Sequence, residues 1–102
     1  MPPNTWKKFE RFVASVWGAT RRGPEYRTAT GGTNDIDVEG WSIECKYGKQ
    51  MNYKKILDAC KQAERACENE NDIPVAVVKQ YGYADEDALV CMTITEFVEW
   101  FV

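Results

Sequence analysis

A chain of 102 residues, 44% hydrophobic and 28% charged, is sized and composed as one globular domain over residues 1–102, and no apolar run reaches the ~18 residues of a membrane span. The absence of histidine excludes Ser-His-Asp and Cys-His catalysis, histidine-ligated metal nucleases and most zinc hydrolase sites. The net charge of −3 conceals two unlike halves: ten Lys and Arg against six Asp and Glu over residues 1–55, and three against ten over residues 56–102.

In chain order, Thr5 reads as an N-cap. Trp6, Phe9, Phe12, Val13, Val16 and Trp17 then form an amphipathic helical stripe that ends at Gly18. Residues 18–24 read as a Gly- and Arg-rich loop, residues 26–30 as a strand, and Gly31-Gly32 as its break. Ile36 and Val38 alternate with Asp35 and Asp37, and after Glu39-Gly40 the alternation resumes as Trp41, Ile43 and Cys45 against Ser42, Glu44 and Lys46. These are two half-buried strands around a tight turn. The spacing of Tyr53, Ile56, Leu57, Cys60, Ala63 and Cys67 predicts a helix over 51–68. Residues 74–78 form an apolar strand buried on both faces, 88–92 another strand, and Thr95 opens a terminal helix holding Phe97, Val98, Trp100 and Phe101. The expected order is α-β-β-β-α-β-β-α, a central mixed sheet flanked by helices.

The four cysteines, Cys45, Cys60, Cys67 and Cys91, show no CxxC spacing and read as reduced, buried thiols. The start, Met1 to Thr5, lacks the layout of a signal peptide. A cytoplasmic location is therefore expected.

The hairpin carries the chemistry. A two-residue turn at Glu39-Gly40 opposes Val38 to Trp41, Asp37 to Ser42, Ile36 to Ile43 and Asp35 to Glu44. One face is then apolar. The other gathers Asp35, Asp37 and Glu44, and like charges so close destabilise a sheet. A divalent cation converts that repulsion into ligation, and an all-oxygen set suits Mg2+ or Mn2+. The competing reading is a solvated acidic strand face. Lys46, one pleat beyond Glu44, can hold a water beside the metal and neutralise a phosphate. Glu10 falls on the packing side of the first helix, where a carboxylate needs a partner.

Asp35 followed by Glu44-Cys45-Lys46 resembles the D-(x)n-ExK pattern of the PD-(D/E)xK nuclease superfamily. The early helix glutamate, the Gly-Gly-x-x-Asp stretch, Ile43-Glu44-Cys45-Lys46 and Gln62-Ala63 resemble the small phage and archaeal-type Holliday junction resolvases. The resemblance implies a restriction-endonuclease-like core and Mg2+-dependent hydrolysis of branched DNA. Under it Asp35, Glu44 and the Cys45 carbonyl are metal ligands, Lys46 positions the attacking water and Glu10 completes the acidic cluster. Asn34 stands where the pattern has Pro. Asp37 is an extra acid that competes for the ligand role, and Gln62 falls off the apolar stripe of its helix. Resemblance to phage enzymes extends the expected location to a host cytoplasm.

Arg21, Arg22, Arg27 and Lys49 are the expected DNA contacts. Tyr47, Tyr53, Tyr81 and Tyr83 are expected to pack rather than to stack on bases. Two symmetric cuts imply a homodimer, with Phe97, Trp100, Phe101 and Val102 as its first candidate patch, although at least two of the three aromatics are expected in the chain's own core. The alternatives are a nuclease for other DNA structures, a non-catalytic nucleic-acid-binding module on the same fold, and a small α/β interaction protein.

Overall fold

The computed structural model describes residues 5–18, 20–21 and 36–102, with Thr20, Arg21 and Asp37 defined by backbone alone. The described residues form a small α/β domain of three helices and a mixed sheet. The elements are α1 (Thr5–Val16), β1 (Thr20–Arg21), β2 (Ile36–Asp37), β3 (Trp41–Gly48), α2 (Tyr53–Arg65), β4 (Ile73–Gln80), a 3-10 turn (Asp85–Asp87), β5 (Leu89–Cys91) and α3 (Ile94–Phe101). The sheet order is β1-β2-β3-β4-β5, antiparallel throughout except for β3 and β4, which run parallel over eight residue pairs. The two-residue strands β1 and β2 form one edge, so the body of the sheet is β3-β4-β5.

Alternation along β3 and β4 feeds two apolar layers. Ile43, Val75 and Val77 meet Phe9, Val13 and Ala14 of α1, with Ile36 beside them. On the other face Ala76 and Val78 meet Ala59 and Cys60 of α2. β4, buried from Pro74 to Val78, is the strand covered on both sides. Pro74 is tolerated inside it for a geometric reason. The amides of Ile73 and of Tyr81, just past β4, donate to the carbonyls of Gly40, just before β3, and of Gly48 at its end, so even-numbered β4 amides face β5. β5 begins pairing only at Ala76, and Pro74, lacking an N–H, leaves no donor unmet there.

Local chemistry sets the helix limits. α1 ends at Gly18, whose φ of 67° is the left-handed conformation that closes a helix. Asn52 caps α2 by accepting from the Lys55 amide at 2.9 Å. α2 is thus shorter at both ends than the predicted 51–68. Its return to β4 is held by buried Asp72, which accepts from the amides of Glu68 and Asn69. Thr93, not Thr95, caps α3, accepting from the Glu96 amide at 3.3 Å.

The first strand lies at Thr20–Arg21, inside the predicted loop, and the strand predicted over 26–30 lies outside the described residues. Several packing expectations are overturned. Trp6 and Val16, near the two ends of the predicted α1 stripe, are exposed. Tyr53 is 80% exposed and does not belong to the buried stripe of α2, whose buried positions are Ala59, Cys60 and Ala63. α3 buries no residue, so Phe97 and Phe101 are not core. No helix among the described residues is long and apolar enough to cross a membrane.

Candidate active site

The β2–β3 hairpin turns at Glu39-Gly40, where the Trp41 amide donates to the Val38 carbonyl at 3.2 Å. Gly40, at φ 85°, is the only turn residue with positive φ, the type II pattern that demands glycine there. Ile36 pairs with Ile43, in the predicted register.

β3 then sorts its side chains. Trp41, Ile43, Cys45 and Tyr47 lie toward α1, and Ser42, Glu44 and Lys46 toward α2. The polar set is not the open strand face that its composition suggests. Ser42 is fully buried and its hydroxyl donates to the Ala63 carbonyl at 2.6 Å, meeting one of the carbonyls that the end of α2 leaves unpaired. Glu44 is 7% exposed beside Ala76, whereas Lys46, beside Val78, reaches solvent. Polarity and access therefore rise together along one face, from a sealed hydroxyl through a buried carboxylate to an open ammonium.

Carbonyl direction adds a second element. Gly40 and Gly48 accept from β4, so alternation turns the Cys45 carbonyl away from β4 and toward the β2 side of the strand. That is the side to which a ligand shared with the β2 segment would have to come.

The remaining predicted residues divide. Glu10 is 9% exposed on the packed side of α1, as its spacing indicates, but α1 covers the sheet face opposite to Glu44 and Lys46. Both carboxylates are partnered, as buried charges must be. Asp35, Arg22 and Arg27 lie outside the described residues, and Arg21 and Asp37 are placed by backbone only, Arg21 across from Ile36 and Asp37 across from Thr20. Among the described residues no three His, Cys, Asp or Glu side chains form a metal-binding group. Gln62 is exposed on α2, away from its apolar face. Lys49, Lys54 and Lys55 are exposed where β3 gives way to α2, the same end of the sheet as Lys46; Lys54 is bridged to Asp58 at 3.1 Å.

A lysine that the sequence reading passed over lies just behind. Lys79 pairs with Tyr47 across β3 and β4, is 9% exposed, and holds Asp85 at 2.5 Å. Its ammonium sits over the rings of Tyr47 and Phe9 at 5.0 and 5.8 Å, and Tyr81 closes on Tyr47 at 4.7 Å. Tyr47 and Tyr81 thus pack as expected, whereas Tyr53 and Tyr83 stand exposed. The signal available was alternation: Lys79 continues the α1-facing row of Val75 and Val77.

All four cysteines carry free thiols, but Cys60 alone is buried as expected, Cys45, Cys67 and Cys91 being half-buried. Burial raises the pKa of Cys60, Cys67 and Cys91 above the ordinary thiol value; at Cys60 the charges of Cys91 and Glu64 add to it, and at Cys67 a hydrogen bond with Ser42 opposes it. With folded values above unfolded ones, this stabilisation is whole below about pH 8.5 and is lost as the pH rises through the folded values. The urea midpoint is expected to fall on going alkaline, and less steeply in Cys91→Ala. Parallel declines in the two proteins would contradict it.

No family model, curated protein or solved structure matches the chain.

Proposed function

We propose that this chain is a metal-dependent endodeoxyribonuclease with a restriction-endonuclease-like core, acting on branched DNA of the four-way-junction kind. The observation that carries the reading is β3 itself. It presents buried Glu44 and solvent-reaching Lys46 two residues apart on one face, with the Cys45 carbonyl turned toward β2. It does so in the hairpin register on which the Asp35–Glu44 pairing was predicted.

In this reading Asp35, Glu44 and the Cys45 carbonyl hold Mg2+ or Mn2+, and Glu10, across the sheet from Glu44, is not a member of the ligand set. Carboxylate and carbonyl oxygens are the donors that such hard cations select. When bound, the cation supplies Lewis-acid stabilisation of the phosphate and an activated water. Lys46 orients that water and meets the charge that develops on the phosphoryl oxygens. The burial of Glu44 fixes one side of the site, and the exposure of Lys46 leaves the other open to a backbone phosphate. Two cuts across a junction would come from a symmetric pair of chains.

Lys49, Lys54 and Lys55, with Arg21, Arg22 and Arg27, would hold the DNA backbone. Each phosphate contact removed is expected to flatten the slope of log affinity against log salt by about 0.9. Comparing Lys49→Ala/Lys55→Ala with wild type by salt titration checks this, and an unchanged slope removes that loop from the interface.

The reading is tested by incubating the chain with labelled four-way junction, duplex and single strand in Mg2+, Mn2+ or EDTA. Junction cutting confined to the metal arms supports it. Equal cutting of all three substrates makes the chain a nuclease for other DNA structures. Binding without cutting makes it a nucleic-acid-binding module.

A further inference from the structure

The two tyrosines that do not pack each border a cavity. Tyr83, 59% exposed, lines one of about 420 Å³ with Met51, Ile56, Val78 and Leu89. Tyr53, 80% exposed, lines another of about 310 Å³ with Ile56, Cys91 and Ile94. Ile56 is common to both, so they are consecutive stretches of one cleft between α2 and the edge strand β5. Leu89 and Cys91 mark their places along β5, two residues or about 7 Å apart. Both volumes lie near the lower end of the ~300–1,000 Å³ of ligand sites, which suits a single flat ring system in each.

The cleft is apolar at its floor and basic at one lip. Over residues 49–61 four exposed lysines, Lys49, Lys54, Lys55 and Lys61, stand against one acid, Asp58. Polar atoms enter the larger cavity at its rim. The side-chain oxygen of Gln80 accepts from the Met51 amide at 3.0 Å, which leaves the Gln80 NH2 group to donate. Asp87 lines the same cavity from the β5 side and offers acceptors. The ligand that matches is flat, apolar on its faces, rich in donors and acceptors at its edge, and joined to negative charge. A nucleobase on its phosphate chain has these properties.

We propose that the α2–β5 cleft binds two successive bases of an unpaired DNA strand, stacked on Tyr83 and Tyr53, with their phosphates along the lysine lip. Stacked bases of a B-form strand lie only about 3.4 Å apart, roughly half the spacing of the two cavities. Bases that fill both have therefore left the duplex. The acid at the far lip faces base edges and not phosphates, so it does not oppose the polyanion. The cleft also opens beside the proposed cutting site, since Val78 in its floor pairs with Lys46. The inference rests on the DNA-directed reading and deepens it: the feature recognised at a branch is the strand that has come unpaired there.

Fluorescence anisotropy in EDTA, so that cutting does not enter, tests it with two labelled strands of equal length and charge, oligo-dT and an abasic deoxyribose-phosphate chain. Wild type is expected to bind oligo-dT at least about tenfold tighter than the abasic strand. Tyr53→Ala/Tyr83→Ala is expected to abolish that preference by weakening oligo-dT alone. Tyr53→Phe/Tyr83→Phe is expected to keep it, since the ring and not the hydroxyl stacks. Both side chains are exposed, so the thermal midpoint of either variant should match wild type. Equal binding of the two strands by wild type overturns the inference, as does a preference undiminished in the alanine variant. So does a chain that passes over oligo-dT but binds an extended peptide of alternating valine and lysine, which would make the cleft a peptide site. Metal-dependent junction cutting is read in a separate assay, so failure of base stacking and failure of the nuclease reading are distinguishable.

Discussion

Lys46→Ala is expected to lower the rate of junction cleavage by on the order of a hundredfold or more, with little change in DNA affinity or stability. The split follows from where Lys46 sits. Its side chain is exposed at the open end of the β3 face, so alanine removes no core and leaves no buried partner uncompensated. Lys49 and Lys55 remain at the same end to hold phosphates. Single-turnover rates and binding curves measured on the same junction check the prediction. Lost affinity with an unchanged rate would reduce Lys46 to a phosphate contact.

Phe9→Ala is expected to cost about 3–5 kcal/mol of stability. Phe9 is 1% exposed and is the largest fully buried side chain among the described residues. It meets Tyr47 edge-on at 5.5 Å and lies under the ammonium of Lys79. Truncation opens a cavity between α1 and the sheet and uncovers one side of a lysine that is only 9% exposed. Urea unfolding at neutral pH checks it. A cost below about 1 kcal/mol would mean that α1 collapses onto the vacancy or contributes little to the fold.

The hairpin was legible because its two signals agree. A two-residue turn with glycine second sets the loop, and strict alternation on both sides admits one register, confirmed at Ile36 and Ile43. β4 was legible from its unbroken apolar run. What alternation cannot tell is which layer covers each face. It put Ser42, Glu44 and Lys46 together, but that α2 seals the first two depends on how the β3–α2–β4 connection folds back, a tertiary fact. The same gap hid the orientation of α3. Periodicity collects Ile94, Phe97, Val98 and Phe101 on one side, and burial is the usual inference. All four are nevertheless exposed, and the bond that ties this segment to α2 runs from its cap, Thr93, to Glu64. Lys79 was missed because a lysine at the end of an apolar strand ordinarily marks its exit to solvent, and here Asp85, six residues on, returns to neutralise it. Of the proposed ligands, Glu44 and the backbone of Cys45 are placed, whereas Asp35 lies outside the described residues.

The central claim is that β3 carries a cation-dependent cutting site. It is tested most directly by single-turnover cleavage of a labelled four-way junction by wild type and Glu44→Gln, each in Mg2+ and in EDTA. Glutamine keeps the shape of the buried side chain while removing its charge, so the fold should survive as judged by its thermal midpoint. Cutting is expected in wild type with Mg2+ alone, and in neither arm of Glu44→Gln. Cutting undiminished in EDTA, or by folded Glu44→Gln, would contradict the account.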